Sequence, residues 1–145
     1  DMGKVLDTIK IIENPFSYSR YLGIYHSLVD GVFQVRLAVS DNLLNWEFVK
    51  VLDEHASQPT VKSLDNGGFI VAFEKDSTEG NWIRVRFYKD FDSLLENNYK
   101  KEYELPRSLS NAAEGTPNIY GVEKEMLLEA VRKNKCDAAI VGNAG

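Results

Sequence analysis

VFQVRLAVSDNLLNW, residues 32–46, reads as a strand running into a polar corner. Phe33, Val35, Leu37 and Val39 alternate with Gln34, Arg36 and Ala38. That period of two puts alternate side chains on opposite faces of a sheet. Ser40 to Asn45 punctuates the run, and WEFVKVL (46–52) resumes as the next strand. Upstream, RYLGIYHS (20–27) is a further strand, joined through Val29-Asp30-Gly31, where glycine supplies the positive φ that a tight hairpin needs.

The same order then recurs. GGFIVAFEKD (67–76) matches the first strand and WIRVRFYKD (82–90) the second, with Ile83, Val85 and Phe87 alternating against Arg84 and Arg86. Asp92-Ser93-Leu94-Leu95 stands where Asp41-Asn42-Leu43-Leu44 stood, and NYKKEYELP (98–106) supplies the third strand. Both units end in an alanine-polar-proline stretch, HASQPTV (55–61) and NAAEGTPNI (111–119). A period of about 50 residues built from short antiparallel strands is the pattern of β-propeller blades. A β-sandwich is the competing architecture, and the recurrence of four features in one order favours the propeller.

The expected fold is therefore all-β. Residues 1–121 form a propeller portion, with blade 1 about 14–56, blade 2 about 57–112 and the entry to a third at 113–121. Closure takes four to eight blades, so the expectation is a partial propeller, completed by further blades or by self-association. Residues 122–145 break the pattern as an α/β-like tail. VEKEMLLEAVRKNK (122–135) spaces Met126, Leu127, Ala130 and Val131 as a helix does, and CDAAIVGNAG (136–145) reads as a short buried strand ending in a glycine-rich turn.

Composition narrows the function classes. The formal net charge of −5, with no basic run, argues against nucleic acid or an anionic membrane as partner. The single Cys136 excludes an internal disulfide and a multi-cysteine zinc site, and the two separated histidines make no metal site by themselves. No apolar run is long enough for a membrane-spanning helix. DMGKVLD at the start lacks the apolar stretch of a signal peptide, which leaves both secreted and cytoplasmic locations open. No cofactor is expected.

YLGIYHSLVDGVFQVRLAVSDNLLNWEFV (21–49) resembles the first blade of the five-bladed propeller glycosidases, the superfamily of family 43 arabinanases and xylosidases and their relatives. Ser40-Asp41-Asn42-Leu43-Leu44-Asn45-Trp46 is similar to their corner after the second strand, and Glu114-Gly115-Thr116-Pro117-Asn118-Ile119-Tyr120 to the motif that opens their third blade. The likeness covers about residues 14 to 121. It implies an inverting glycoside hydrolase acting on an oligo- or polysaccharide of plant or microbial origin, with Glu114 as general acid. The pKa-tuning acid of the second blade falls at Ser57-Gln58-Pro59, which is neutral, and the base of the first blade falls at Glu13-Asn14-Pro15, with Glu13 one place off. A non-catalytic carbohydrate-binding or scaffold propeller is the alternative.

Around these acids, Gln58 is a candidate to hydrogen-bond a sugar hydroxyl and Trp82 to stack on a sugar face. His26, in the first strand, and His55, ahead of the second blade entrance, are further candidates, and Arg84 could meet a substrate carboxylate. Each has a plainer reading, as core histidine, turn residue or solvated strand face. Trp46 and Tyr120 read first as packing, and Asp41 and Asp92 as turn residues.

Overall fold

The computed structural model describes residues 5–14, 19–107, 115, 117–119 and 141–143. They are mostly β. Strands β1 (Val5–Glu13), β2 (Tyr21–Val29), β3 (Val32–Ser40) and β4 (Glu47–Glu54) form one antiparallel meander. A second four-stranded meander repeats that order with β5 (Ala56–Ser63), β6 (Phe69–Ser77), β7 (Gly80–Tyr88) and β8 (Lys101–Leu105). A short helix, α1 (Phe91–Leu95), bridges β7 and β8, and β9 (Pro117–Ile119) pairs with β10 (Val141–Asn143).

The hairpins follow from their turn residues. Val29 faces Val32 across Asp30 and Gly31, whose φ values of 51° and 80° make the primed turn that suits the twist of the strands. Between β3 and β4, the Ser40 hydroxyl accepts from the backbone N–H of Asn42 and Leu43, and the Asn42 side-chain Oδ1 accepts from the backbone N–H of Leu44 and Asn45. The Trp46 indole donates to the Leu43 carbonyl at 3.0 Å and lies against Gly23. Trp46 thus packs on its own sheet. In the second sheet the matching corner is α1, capped by the Asp90 carboxylate, which accepts from Ser93 N–H at 2.8 Å.

Each sheet has one strand more than the alternation revealed. The unit read from residue 20 is preceded by β1, and the HASQPTV stretch is itself β5 rather than the close of the unit before it. Both first strands carry a bulge, between Asp7 and Lys10 in β1 and between Ser57 and Thr60 in β5. Pro59 sits inside the second bulge, where a missing N–H costs no ladder bond. The extra residue reverses the alternation, so Ala56 and Val61, five positions apart, share one core. The expected helix at 122–135 lies outside the described residues. Within the 136–145 stretch, Val141–Asn143 is a strand, paired with β9.

The sheets stack face to back. Leu22, Ile24, Val35 and Leu37 on the front of the first sheet meet Phe69, Val71 and Phe73 on the back of the second. The front of the second sheet, with Ile70, Ala72, Ile83 and Val85, receives Ile119 of β9. These front positions correspond between the sheets at a constant offset of 48 residues, as Leu22 to Ile70 and Leu37 to Val85 show. The back of the first sheet leaves Ile9, Ile11 and Phe48 exposed.

Where the sheets meet along β4, charge takes over from apolar packing. Asp53 receives Lys75 Nζ at 3.2 Å, Arg84 Nη1 at 2.9 Å and Arg86 Nη2 at 3.1 Å. Arg86 also donates to Glu102 at 2.6 Å and to the Leu52 carbonyl at 2.7 Å. Asn97, held at φ 56°, donates to the same carbonyl and accepts from the Tyr88 hydroxyl at 2.8 Å. Three cations thus face three carboxylates (Asp53, Glu102 and Glu104), and each buried charge is paired.

Two outcomes follow from the seam. Asp53→Ala removes the carboxylate shared by Lys75, Arg84 and the buried Arg86, leaving Arg86 ion-paired with Glu102 alone, and lowers stability by about 3 kcal/mol, read as a shifted urea midpoint with an unchanged m-value; Lys75→Met costs less. Burial pushes the Tyr88 hydroxyl up to about 12, partly opposed by the Arg86 cation. The fold thus favours the neutral phenol, and its contribution is complete below the unfolded value near pH 10 and lost as pH rises from about 10 to about 12. Tyr88→Phe removes that alkaline loss, checked by urea unfolding across this window.

Candidate functional site

Both meanders begin at the same end of the molecule. That rim holds the starts of β1 and β5, the β2–β3 and β6–β7 hairpins, and the last residues of β4 and β8. His26, His55, Gln58, Trp82 and Arg84 all lie toward it. Glu13 does not. It is the last residue of β1, exposed and opposite Tyr21, whereas Asp7, six positions earlier, is the partner of His26. Six residues of strand span about 20 Å. Glu13 is therefore set apart from the rim.

His26 is 3% exposed, and its Nδ1 accepts the backbone N–H of Gln58 at 2.9 Å. The accepting nitrogen carries no proton, so the ring in this arrangement is neutral. Phe33 meets the ring edge-on with centroids 5.1 Å apart. The histidine thereby pins the β5 bulge to β2, and Gln58 takes φ 53° to present its N–H. His55 is the exposed corner between β4 and β5, with φ 50° and its carbonyl accepting from Asp76 N–H at 3.0 Å. Neither histidine is placed as a proton carrier by these bonds. Both shape the entrance to the second sheet.

Arg84 is committed within the protein. Beyond Asp53 it donates through Nε to Glu104 at 2.7 Å, with Glu102 at 3.7 Å. Burial pulls its pKa down, and the three carboxylates more than offset this, leaving it raised. Instead of a solvated strand face, Arg84 and Arg86 share an ion-paired seam, and Arg84 offers no open fork to a substrate carboxylate.

Glu114 and Tyr120 lie outside the described residues, but Gly115 does not. The Gly115 backbone lies against the Glu74 carboxylate, so a side chain at this position would meet Oε2 and displace that flexible acid. Asn81 Nδ2 donates to the other oxygen, Glu74 Oε1. Asp76, two positions along the same strand face, has its Oδ1 enclosed without a hydrogen-bond donor among the described residues. Glu74 and Asp76 were not singled out from the sequence. The available signal was an acid continuing the core-facing series Ile70, Ala72, at the position that His26 holds one repeat earlier.

On the opposite face of the same strands, Trp82 pairs with Lys75 across the ladder. Its indole N–H donates to Glu104 Oε2, and the ring borders an open cleft of about 530 Å³. Ser77, Glu79, Pro106 and Arg107 are among the other lining residues. Among the described residues no group of three or more His, Cys, Asp or Glu side chains could hold a metal ion.

His26→Leu leaves the Gln58 N–H without its acceptor and costs about 1–3 kcal/mol. Amide exchange at Gln58 should accelerate selectively, while exchange in the Asp30-Gly31 hairpin stays as it was.

No protein-family model, curated protein or solved structure matches the chain.

Proposed function

We propose that the chain is a carbohydrate-active protein, two consecutive blades and the entry to a third of a five-bladed glycosidase-type propeller, and that it acts as an inverting glycoside hydrolase with Glu114 as general acid. Face-to-back stacking of two like meanders, a bulge repeated in each first strand, and β9 seated on the second front face all support the propeller reading. A contact beside Glu114 carries the catalytic reading: Gly115 rests on Glu74. Gly115, the residue that follows Glu114 in the chain, thereby meets a carboxylate that neither Gln58 nor Glu13 supplies.

In this mechanism Glu114 protonates the leaving glycosidic oxygen as the anomeric C–O bond breaks. A water attacks the anomeric carbon from the opposite face and gives its proton to Glu74. Asn81 holds Glu74 in place.

The second reading is a binding propeller without hydrolysis. It is favoured by the neutral Gln58 at the entrance of the second sheet and by the distance of Glu13 from the rim.

A panel of aryl-glycosides discriminates the two. Under the hydrolase reading at least one is cleaved, and Glu114→Gln and Glu74→Gln each lower kcat by about 10²–10⁴-fold, with circular dichroism unchanged. Cleavage that survives Glu114→Gln removes that residue from the mechanism, and a panel left intact by the parent protein leaves the binding reading.

A further inference from the structure

We infer that the Trp82 cleft is a glycan-binding site in its own right, separate from the carboxylates beneath Gly115. It shares the ligand class of the preceding reading and does not depend on hydrolysis. Trp82 and Lys75 project from one face of the β6–β7 pair, and Glu74 and Ile83 from the other, so the two sites are divided by the sheet.

The repeat shows that packing does not demand an aromatic here. The position that matches Trp82 in the first sheet, 48 residues earlier, is Gln34, whose amide donates to Glu54 at 3.3 Å. In the second sheet the matching side chain is an indole, which donates diagonally to Glu104, the ladder partner of Arg84. This strand position therefore works with a polar, non-aromatic side chain, and at Trp82 the ring adds apolar area to an open cleft.

That area is fixed in advance. The indole donates to Glu104, Glu104 is held by Arg84, and Arg84 is held by Asp53. A ring anchored through its N–H has only its face left to offer, and little rotamer entropy remains to be lost on binding. The negative π-face attracts polarised C–H groups, which one side of a pyranose ring presents together. Around it stand both kinds of polar partner a sugar hydroxyl uses: the Glu79 carboxylate as acceptor and the Arg107 guanidinium as donor, with Arg107 Nη1 placed 3.4 Å from the Glu79 carbonyl. A cleft of about 530 Å³ is in the range of small-ligand sites, large enough for more than one sugar unit. Acid and guanidinium side by side leave no single-sign field, which points to a neutral glycan.

The test is calorimetric titration of the full chain with neutral hexasaccharides of β-1,4-linked xylose, α-1,5-linked arabinose and β-1,4-linked glucose. At least one is expected to bind, with Trp82→Ala raising Kd at least 10-fold, Trp82→Phe raising it less, and Arg107→Ala a few-fold. Urea midpoints of these variants separate lost binding from lost folding. Glu114→Gln and Glu74→Gln should leave this affinity unchanged even where they abolish hydrolysis, so the two readings fail independently. Binding of no hexasaccharide, affinity indifferent to Trp82→Ala in a folded protein, or Trp82-dependent binding of a proline-rich peptide instead would each overturn the proposal.

Discussion

Asp53 is the residue on which the two sheets agree. It sits on the last strand of the first meander and accepts Lys75, Arg84 and Arg86 from the second, over separations of 22 to 33 residues. Apolar packing alone would let two twisted sheets slide, because burial is non-directional. Guanidinium groups on alternate residues of β7, each bound to a fixed oxygen, remove that freedom. The rim inherits the result. Trp82 is oriented through Glu104 and Arg84, and the entrance to β5 through His55, whose neighbour Glu54 lends its carbonyl to Lys75.

The second constraint is the bulge in β5. One extra residue between Ser57 and Thr60 lets Ala56 and Val61 serve the same core while exposing a backbone N–H to His26. A histidine suits the place because a neutral ring nitrogen accepts a hydrogen bond in a buried setting where a lysine or carboxylate would need a counter-ion. The chemistry proposed for this chain thus lies beside structural devices, and the two use different residues: His26 and Arg84 hold, Glu74 and Trp82 are left to act.

Legibility in the sequence tracked the range of the interaction. The Asp30-Gly31 hairpin and the alternation of β3 and β7 are local, and they could be read directly. β5 was harder, since Pro59 reads as a breaker unless a bulge is there to receive it. Arg84 could be placed on a strand face but not on Asp53, 31 residues away, because an ion pair of that span has no periodicity. Glu74 was invisible for a related reason: its meaning comes from Gly115, which reaches it only after β7 and β8 have intervened. Trp82 was recognised as an aromatic at a strand start, and its significance rests on comparison with Gln34.

The stacking also has a direction. The first sheet gives its front to the back of the second, and the second gives its front to β9, so each contact joins unlike surfaces. Such a heterologous contact has no two-fold axis, and repeating one operation of this kind can only close into a ring or continue as a filament. The back of the first sheet, with Ile9, Ile11 and Phe48 exposed among the described residues, is the surface to which the same operation would apply. The angle between successive sheets, set at the Asp53 seam, is then what decides how many repeats a ring requires.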